Sequence, residues 1–323
     1  MITRIFIFLL LGVSTLPESM SQVDSTLIEN FINRTTSTGR LERSEILTLF
    51  NKATFQPDII NRMERPAEDF PWYRYRKIFM TDDRIAAGVR FWEKYQDQLL
   101  EVSYDTGVPA HIITAIIGVE SFFGTRMGDY RVLDALYTLA FGYERRSRFF
   151  QSELEEFIIL LKEENLDPMQ VYGSYAGAIG FCQFMPTSYR AYAKSYDEGG
   201  TADLVTSPED AIASVANYLA EHRWKKGEPV AVQVQLASNY RKLGRQSLRP
   251  KNTVGYYIGY GYHPQNGIDR NRKSTLIAME NEDDGYEYWL GFYNFYVITR
   301  YNHSSLYALA VHQLSEAIRI AYN

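Results

Sequence analysis

Apolar positions recur at a helical period over most of the chain. Between about 23 and 100, residues such as Ile85, Val89, Trp92, Leu99 and Leu100 follow a 3.6-residue spacing, and Thr81 or Asp82 is placed to cap a helix start. Pro57, Pro66 and Pro71 mark breaks between these helices. A second helical block runs from about 108 to 222, through VPAHIITAIIGVES, RVLDALYTLAFGY, RSRFFQSELEEFIILLKEE, GAIGFCQFMPTSYRAYAKSY and SPEDAIASVANYLAEHRW. Pro109 suits a first helical turn, and Ser207-Pro208-Glu209-Asp210 precedes an apolar stripe as a capping sequence does.

From about 228 to 290 the period changes. VAVQVQLA alternates apolar and polar residues like a half-buried strand, and GYYIGYGYHPQNG is dense in glycine and tyrosine. STLIAMEN and YEYWLGFYN read as further strands, with a turn at Asp283-Asp284-Gly285. SLYALAVHQLSEAIRIAY returns to helix. The pattern predicts a mainly α protein with a flanking helical domain over 21–107, completed by the C-terminal helix, a helical core over 108–227 and a small β-rich insert over 228–290. Residues 291–323 then return to the core and add a C-terminal helix.

Residues 1–20, MITRIFIFLLLGVSTLPESM, have a basic start at Arg4, an apolar run over 5–13 and a polar exit. This is the layout of a secretory signal, and the run is too short to span a bilayer. No cysteine follows it, so no lipid anchor is expected, and the mature protein is expected to be exported and soluble.

Composition narrows the class. Apolar residues form 46% of the 323 and charged residues 23%, which excludes a disordered, fibrous or disulfide-scaffold protein. The 34 basic and 39 acidic residues give −5, and the basic runs are short, so no nucleic-acid partner is expected. Cys182 is the single cysteine, which excludes an internal disulfide and a thiolate metal cluster. His111, His222, His263, His303 and His312 are scattered, without HExxH spacing. Tyrosine is abundant, at 25 residues; a wet, ring-lined groove and a tyrosine-heavy core both account for it.

One carboxylate is out of place. Ile113, Ile116, Ile117 and Glu120 fall at i, i+3, i+4 and i+7, so three apolar side chains and an acid share a helix face. An apolar wall and a nearby helix C-terminus both disfavour the charged form, and a raised pKa is what a general acid needs. A carboxylate satisfied by an arginine, or exposed at a frayed helix end, is the alternative. Arg145 and Arg146 are adjacent and cannot both face one way on a regular helix. Ser174 lies among Gly173, Gly177 and Gly180, Gln183 stands beside apolar rings, and Tyr301-Asn302-His303-Ser304 precedes the last helix. Taken singly, each of these fits structural hydrogen bonding or capping.

Together the segments resemble the MltB-type soluble lytic transglycosylases, glycosidases with a lysozyme-like core. The matching pieces are GVESFFG at 118–124, RVLDALYTLAF at 131–141, ERRSRFF at 144–150, YGSYAGAIGFCQFMPTSY at 172–189, DAIASVANYL at 210–219 and FYNFYVITRYNHS at 292–304. The resemblance implies a lysozyme-like core over 108–227. It also implies cleavage of the β-1,4 bond between N-acetylmuramic acid and N-acetylglucosamine in peptidoglycan strands, without water, leaving a 1,6-anhydromuramyl end. Glu120 would act first as acid toward the glycosidic oxygen, then as base toward the C6 hydroxyl. Tyr75, Arg145, Arg146, Ser174, Gln183, Tyr301 and Asn302 would line the cleft. Ordinary glycosidases use two carboxyls; Asp129 and Asp134, the nearest downstream acids, match no catalytic pattern. A catalytically silent wall-binding protein of the same fold and a hydrolytic muramidase are the alternatives.

Some members of that family carry a calcium loop after the QFMP helix. Here the stretch is KSYDEGGTADLVTSPED, where only Asp197, Thr201 and Asp203 keep the ligand rhythm and Gly199 takes a ligand place. No metal or other cofactor is expected. The implied setting is the periplasm, with cell-wall machinery as a further candidate partner.

Overall fold

The computed structural model describes residues 23–64, 70–197, 199–265 and 267–323. The signal-like segment and Pro66 lie outside the described residues. Helices α1 (Ser25–Thr36), α2 (Arg43–Phe50), α3 (Pro57–Met63), α4 (Trp72–Phe79), α5 (Asp82–Lys94) and α6 (Gln96–Thr106) come first. Thr81 caps α5 through its side chain, Pro57 opens α3 and Pro71 precedes α4. Leu99 is buried, as its spacing predicts, but Leu100 points to solvent.

The central helix is α7 (Ala110–Ser121). Nine of its twelve residues are buried, including Ile112, Ile113, Ile116 and Ile117. Burying one isoleucine is worth about 1.5–3 kcal/mol, so this helix cannot be left solvated. It is enclosed by α5, α6, α11 (Pro208–Glu221) and α14 (Ser305–Tyr322). Beside it, α8 (Val132–Gly142) packs on α9 (Ser147–Glu163), joined by a 3-10 turn over Glu144–Arg146. Asp134 of α8 is buried and spoken for. It pairs with Arg131 at 2.5 Å and accepts from the Thr54 N–H and the Gln56 amide, which ties the α2–α3 connection to the core.

Between α9 and α11 the chain is less helical than its apolar spacing predicts. GAIGFCQFMPTSYRAYAKSY is helical only over α10 (Pro186–Tyr192). Residues 173–184 form turns and bridges, with Ile179 paired to both Gly173 and Phe184. Apolar spacing there reflects burial of a folded loop, and Gly177 (φ 83°) and Gly180 (φ 71°) hold conformations that side-chain-bearing residues avoid. A short ladder, β1 (Tyr130–Arg131) with β2 (Tyr172–Gly173), pins the loop to the start of α8.

The β-rich part is a five-stranded antiparallel sheet in the order β4-β6-β7-β3-β5. Its strands are β3 (Ala231–Leu236), β4 (Asn252–Thr253), β5 (Tyr262–Pro264), β6 (Lys273–Glu280) and β7 (Tyr286–Gly291). The 283–285 turn forms as read, with Asp284 at φ 54° and Gly285 N–H donating to Asn281 Oδ1 at 2.8 Å. The glycine- and tyrosine-rich segment supplies a short helix, α12 (Val254–Gly259), before β5. YEYWLGFYN divides, its last residues opening α13 (Tyr293–Tyr301). The sheet has its own core of Val234, Val254, Tyr257, Tyr262, Leu276, Tyr288, Leu290 and Phe292. Trp72 on α4 donates to Glu287 of β7 at 2.7 Å, joining sheet to helices.

Candidate active site

Glu120 is half-buried in the last turn of α7, one residue before the helix ends. The chain then takes three left-handed residues in succession: Phe122 (φ 49°), Phe123 (φ 57°) and Gly124 (φ 84°). Aromatic residues rarely accept this region, so the surroundings must hold it. Ser121 Oγ donates to the Phe181 carbonyl at 2.8 Å and accepts from the Gly124 N–H at 3.0 Å, and Arg126 N–H donates to the Ser121 carbonyl at 2.8 Å. Phe123 folds back over Gly118, where a Cβ would sit 2.6 Å from its ring. Arg84 and Arg126 lie over the Phe122 ring at 4.8 and 4.7 Å. The helix end that carries Glu120 is thereby fixed from several sides.

The first turn of α14 supplies the partner that sequence reading missed. Tyr307 Oη donates to Glu120 Oε1 at 2.5 Å. Burial, reinforced by the Glu120 charge, pushes the Tyr307 phenol well above its ordinary pKa, so it remains a donor. The available signal was a tyrosine on the apolar face of the last helix, since a buried phenol needs a hydrogen-bond partner. Tyr301 lies parallel to Tyr307, ring centres 6.3 Å apart, and donates to the Cys182 carbonyl at 2.7 Å. Phe184 and Tyr218 pack on Tyr301 at 5.6 and 4.8 Å and complete an aromatic wall. Tyr75 is buried on α4 beside Trp72 and Phe79, near enough to Tyr307 to act on its ionisation. Asn302 follows α13, and its carbonyl accepts from Ser304 N–H at 2.7 Å.

The other residues singled out from sequence fall into two groups. Ser174 and Gln183 shape the 173–184 loop. Ser174 Oγ accepts from the Ala176 and Ala178 N–H groups at 3.3 and 3.1 Å. Gln183, at φ 47°, spends both amide hydrogens on the Met127 and Gly180 carbonyls at 3.0 and 2.9 Å. Arg145 and Arg146 are exposed in the 3-10 turn, in a cavity of about 710 Å³ shared with Arg34 and Gln151. Arg146 stacks over Phe149 at 4.1 Å. Cys182 is fully buried, its thiol pushed well up by burial and by the Glu120 and Asp210 charges, which leaves it unreactive.

In the stretch after α10 two of the acidic side chains are engaged within the loop. Asp203 accepts from the Val205 and Thr206 N–H groups at 2.8 and 2.9 Å and from the Thr206 hydroxyl. Asp210 accepts from the Tyr196 and Asp203 N–H groups, both at 2.8 Å. These carboxylate oxygens are engaged by donors of the loop itself, and no cluster of three acidic, histidine or cysteine side chains suited to a metal occurs among the described residues.

A mainly helical fold with a single acid at the end of a buried helix is the arrangement of lysozyme-like glycan-cleaving proteins. Comparison makes this specific. Residues 24–316 match the Transglycosylase SLT domain family, and the chain belongs to it. It is 38% identical over 303 residues to the membrane-bound lytic murein transglycosylase B of Escherichia coli, covering 91% of this chain and 82% of that protein. The soluble lytic transglycosylase SltB1 of Pseudomonas aeruginosa superposes with a TM-score of 0.82 at 40% identity, over 92% of this chain and 99% of that one. Escherichia coli Slt35, solved with bulgecin A, superposes with a TM-score of 0.85 at 36% identity, over 98% and 99% of the two chains. The protein is a peptidoglycan lytic transglycosylase with a lysozyme-like core.

Proposed function

We propose that Glu120 is the catalytic acid and base of a non-hydrolytic cleavage. Its carboxyl protonates the glycosidic oxygen between N-acetylmuramic acid and N-acetylglucosamine, the bond from that oxygen to C1 of N-acetylmuramic acid breaks, and N-acetylglucosamine leaves with a free 4-hydroxyl. The resulting carboxylate then takes the proton of the C6 hydroxyl as that oxygen attacks C1, closing the 1,6-anhydro ring. The observation that carries this reading is the 2.5 Å bond from Tyr307 to Glu120, which orients one half-buried carboxyl at the end of an apolar helix. A proton-transfer group must be held in this way to act on a bound sugar.

Asp129 and Asp134, the nearest downstream acids, do not serve as a second carboxyl, which supports the same reading. Hydrolytic glycosidases pair two carboxyls across the bond. Asp134 is consumed by Arg131, the Thr54 N–H and the Gln56 side-chain amide, and Asp129 is exposed. The substrate class is the glycan strand with attached peptide, since the SltB3 relative from Pseudomonas aeruginosa, 28% identical, was solved with NAG-NAM-pentapeptide. The chemistry drawn here calls for no metal, and the signal-like layout of residues 1–20 supports export to the periplasm.

The test is mass spectrometry of peptidoglycan digested by the protein and by Glu120→Gln. Muropeptides about 18 Da lighter than hydrated products, absent with the variant, are expected from loss of water relative to hydrolysis. Hydrated reducing ends would make it a muramidase. Wall binding without any cleavage by the unaltered protein would make it a silent binder.

A further inference from the structure

From residue 229 to 268 the chain has forty residues without a single Asp or Glu, yet it holds Arg241, Lys242, Arg245, Arg249 and Lys251. In a protein of net charge −5 this is a local reversal of sign. All five are exposed. None of them takes part in the ion pairs of the described residues, whereas Arg272 across the sheet pairs with Glu228 at 3.9 Å. Several meet rings instead: Arg241 lies 4.3 Å over Tyr260, and Lys242 lies 5.4 Å from the Tyr286 ring centre.

The loop that carries them is built to a defined shape. The buried Tyr262 hydroxyl bridges the Arg241 carbonyl and the Leu243 N–H at 3.3 Å each. Arg241 N–H donates to the Tyr260 carbonyl at 2.9 Å, and the Thr275 hydroxyl donates to the Ser247 carbonyl at 2.6 Å. Between this loop and strand β6 lies a cavity of about 460 Å³, lined by Lys242, Arg245, Gln246, Tyr286 and Ser305 among others. Ser305 opens α14, two residues before Tyr307, the partner of Glu120. A fixed cationic loop thus shares a cavity wall with the helix start that orients the reacting carboxyl.

We propose that this loop is a carboxylate-binding subsite for the acidic stem peptide of the glycan being cut, with Lys242 and Arg245 as its principal contacts. The proposal rests on the glycan-cleavage reading above and adds to it the part of the substrate that lies off the sugar chain. The sugar rings themselves carry no charge, and a strand stripped of peptide keeps only the lactyl carboxylate of N-acetylmuramic acid, held close against the ring. A peptide attached to N-acetylmuramic acid carries carboxylates, and cations at a partly enclosed surface bind those with charge-assisted hydrogen bonds. Rings beside the cations suit a ligand of mixed polarity.

The experiment compares Lys242→Gln/Arg245→Gln with the unaltered protein on two substrates, peptide-bearing glycan strands and the same strands stripped of peptide by an amidase. On peptide-bearing strands KM is expected to rise at least about tenfold with kcat unchanged, the signature of lost uniform binding. The unaltered protein should show the same rise as sodium chloride goes from about 0.05 to 0.3 M, and the variant should not. On stripped strands the two proteins should be equal, and that turnover separately reports whether glycan cleavage itself is the activity. The charge-keeping pair Lys242→Arg/Arg245→Lys should restore KM. Equal losses on both substrates, or no change on peptide-bearing strands, overturns the proposal. So does loss of binding to anionic phospholipid vesicles with glycan kinetics intact, which would assign the loop to lipid headgroups.

Discussion

The Tyr307 hydroxyl and the Glu120 carboxyl meet at 2.5 Å although 187 residues separate them in the chain. The contact joins the last turn of α7 to the first turn of α14, so two packed helices fix the geometry of one acid. A phenol held protonated beside a carboxylate stabilises the charged form that must exist once the glycosidic oxygen has taken its proton.

Tyr307→Phe removes that donor and keeps the ring. A hydrogen bond to a charged group is worth about 1.5–3 kcal/mol, so kcat should fall roughly 10- to 100-fold. Steady-state kinetics with a thermal melt alongside checks this; the melting temperature should move little, since the ring still packs on Tyr301.

Gly118→Ala places a methyl 2.6 Å from the Phe123 ring and pushes on the left-handed run at 122–124. Overpacking of this kind costs about 1–3 kcal/mol. Denaturant unfolding should show that loss, and activity should fall further than stability because the displaced segment begins two residues after Glu120.

Acid should weaken the fold through His111. Burial lowers its pKa to about 4, outweighing Glu316, whose carboxylate lies 3.8 Å away. Near neutral pH the imidazole is uncharged and the contact is not an ion pair. The unfolded chain takes up a proton as pH falls below about 6.5 and the folded chain does not until about 4. Stability is therefore full above pH 6.5 and is lost as pH falls toward 4, by up to about 3 kcal/mol. His312, lowered by burial in the same helical layer, adds in the same direction. Urea midpoints across this range should flatten in His111→Gln.

Calcium and chelators should leave the melting temperature unchanged within about 1 °C, because a ligand that does not bind the folded state adds nothing to its stability. Asp203→Ala should lower it by several degrees. Although burial opposes ionisation, the Thr206 hydroxyl and the Thr206 and Val205 N–H groups hold the Asp203 pKa down. The loop's shape depends on that carboxylate. A clear calcium-dependent rise in melting temperature would overturn the first expectation.

The helices and the change to strands near 230 were legible because burial of one face imposes a period on sequence, and α5, α7, α11 and β3 carry it plainly. Caps at Thr81 and Ser207 were legible because they are local. Glu120 stood out for the same reason, as the one acid on a greasy helical face. The 173–184 loop was not legible, since buried loops and buried helices are both apolar and only bridges at Ile179 separate them. Nor could sequence show that Gln183 is a backbone latch, or that Tyr307 rather than any other tyrosine reaches Glu120. Local propensity and periodicity belong to the sequence itself. The partner of a buried acid depends on how α7 and α14 pack across nearly the whole chain, and only the tertiary structure decides that.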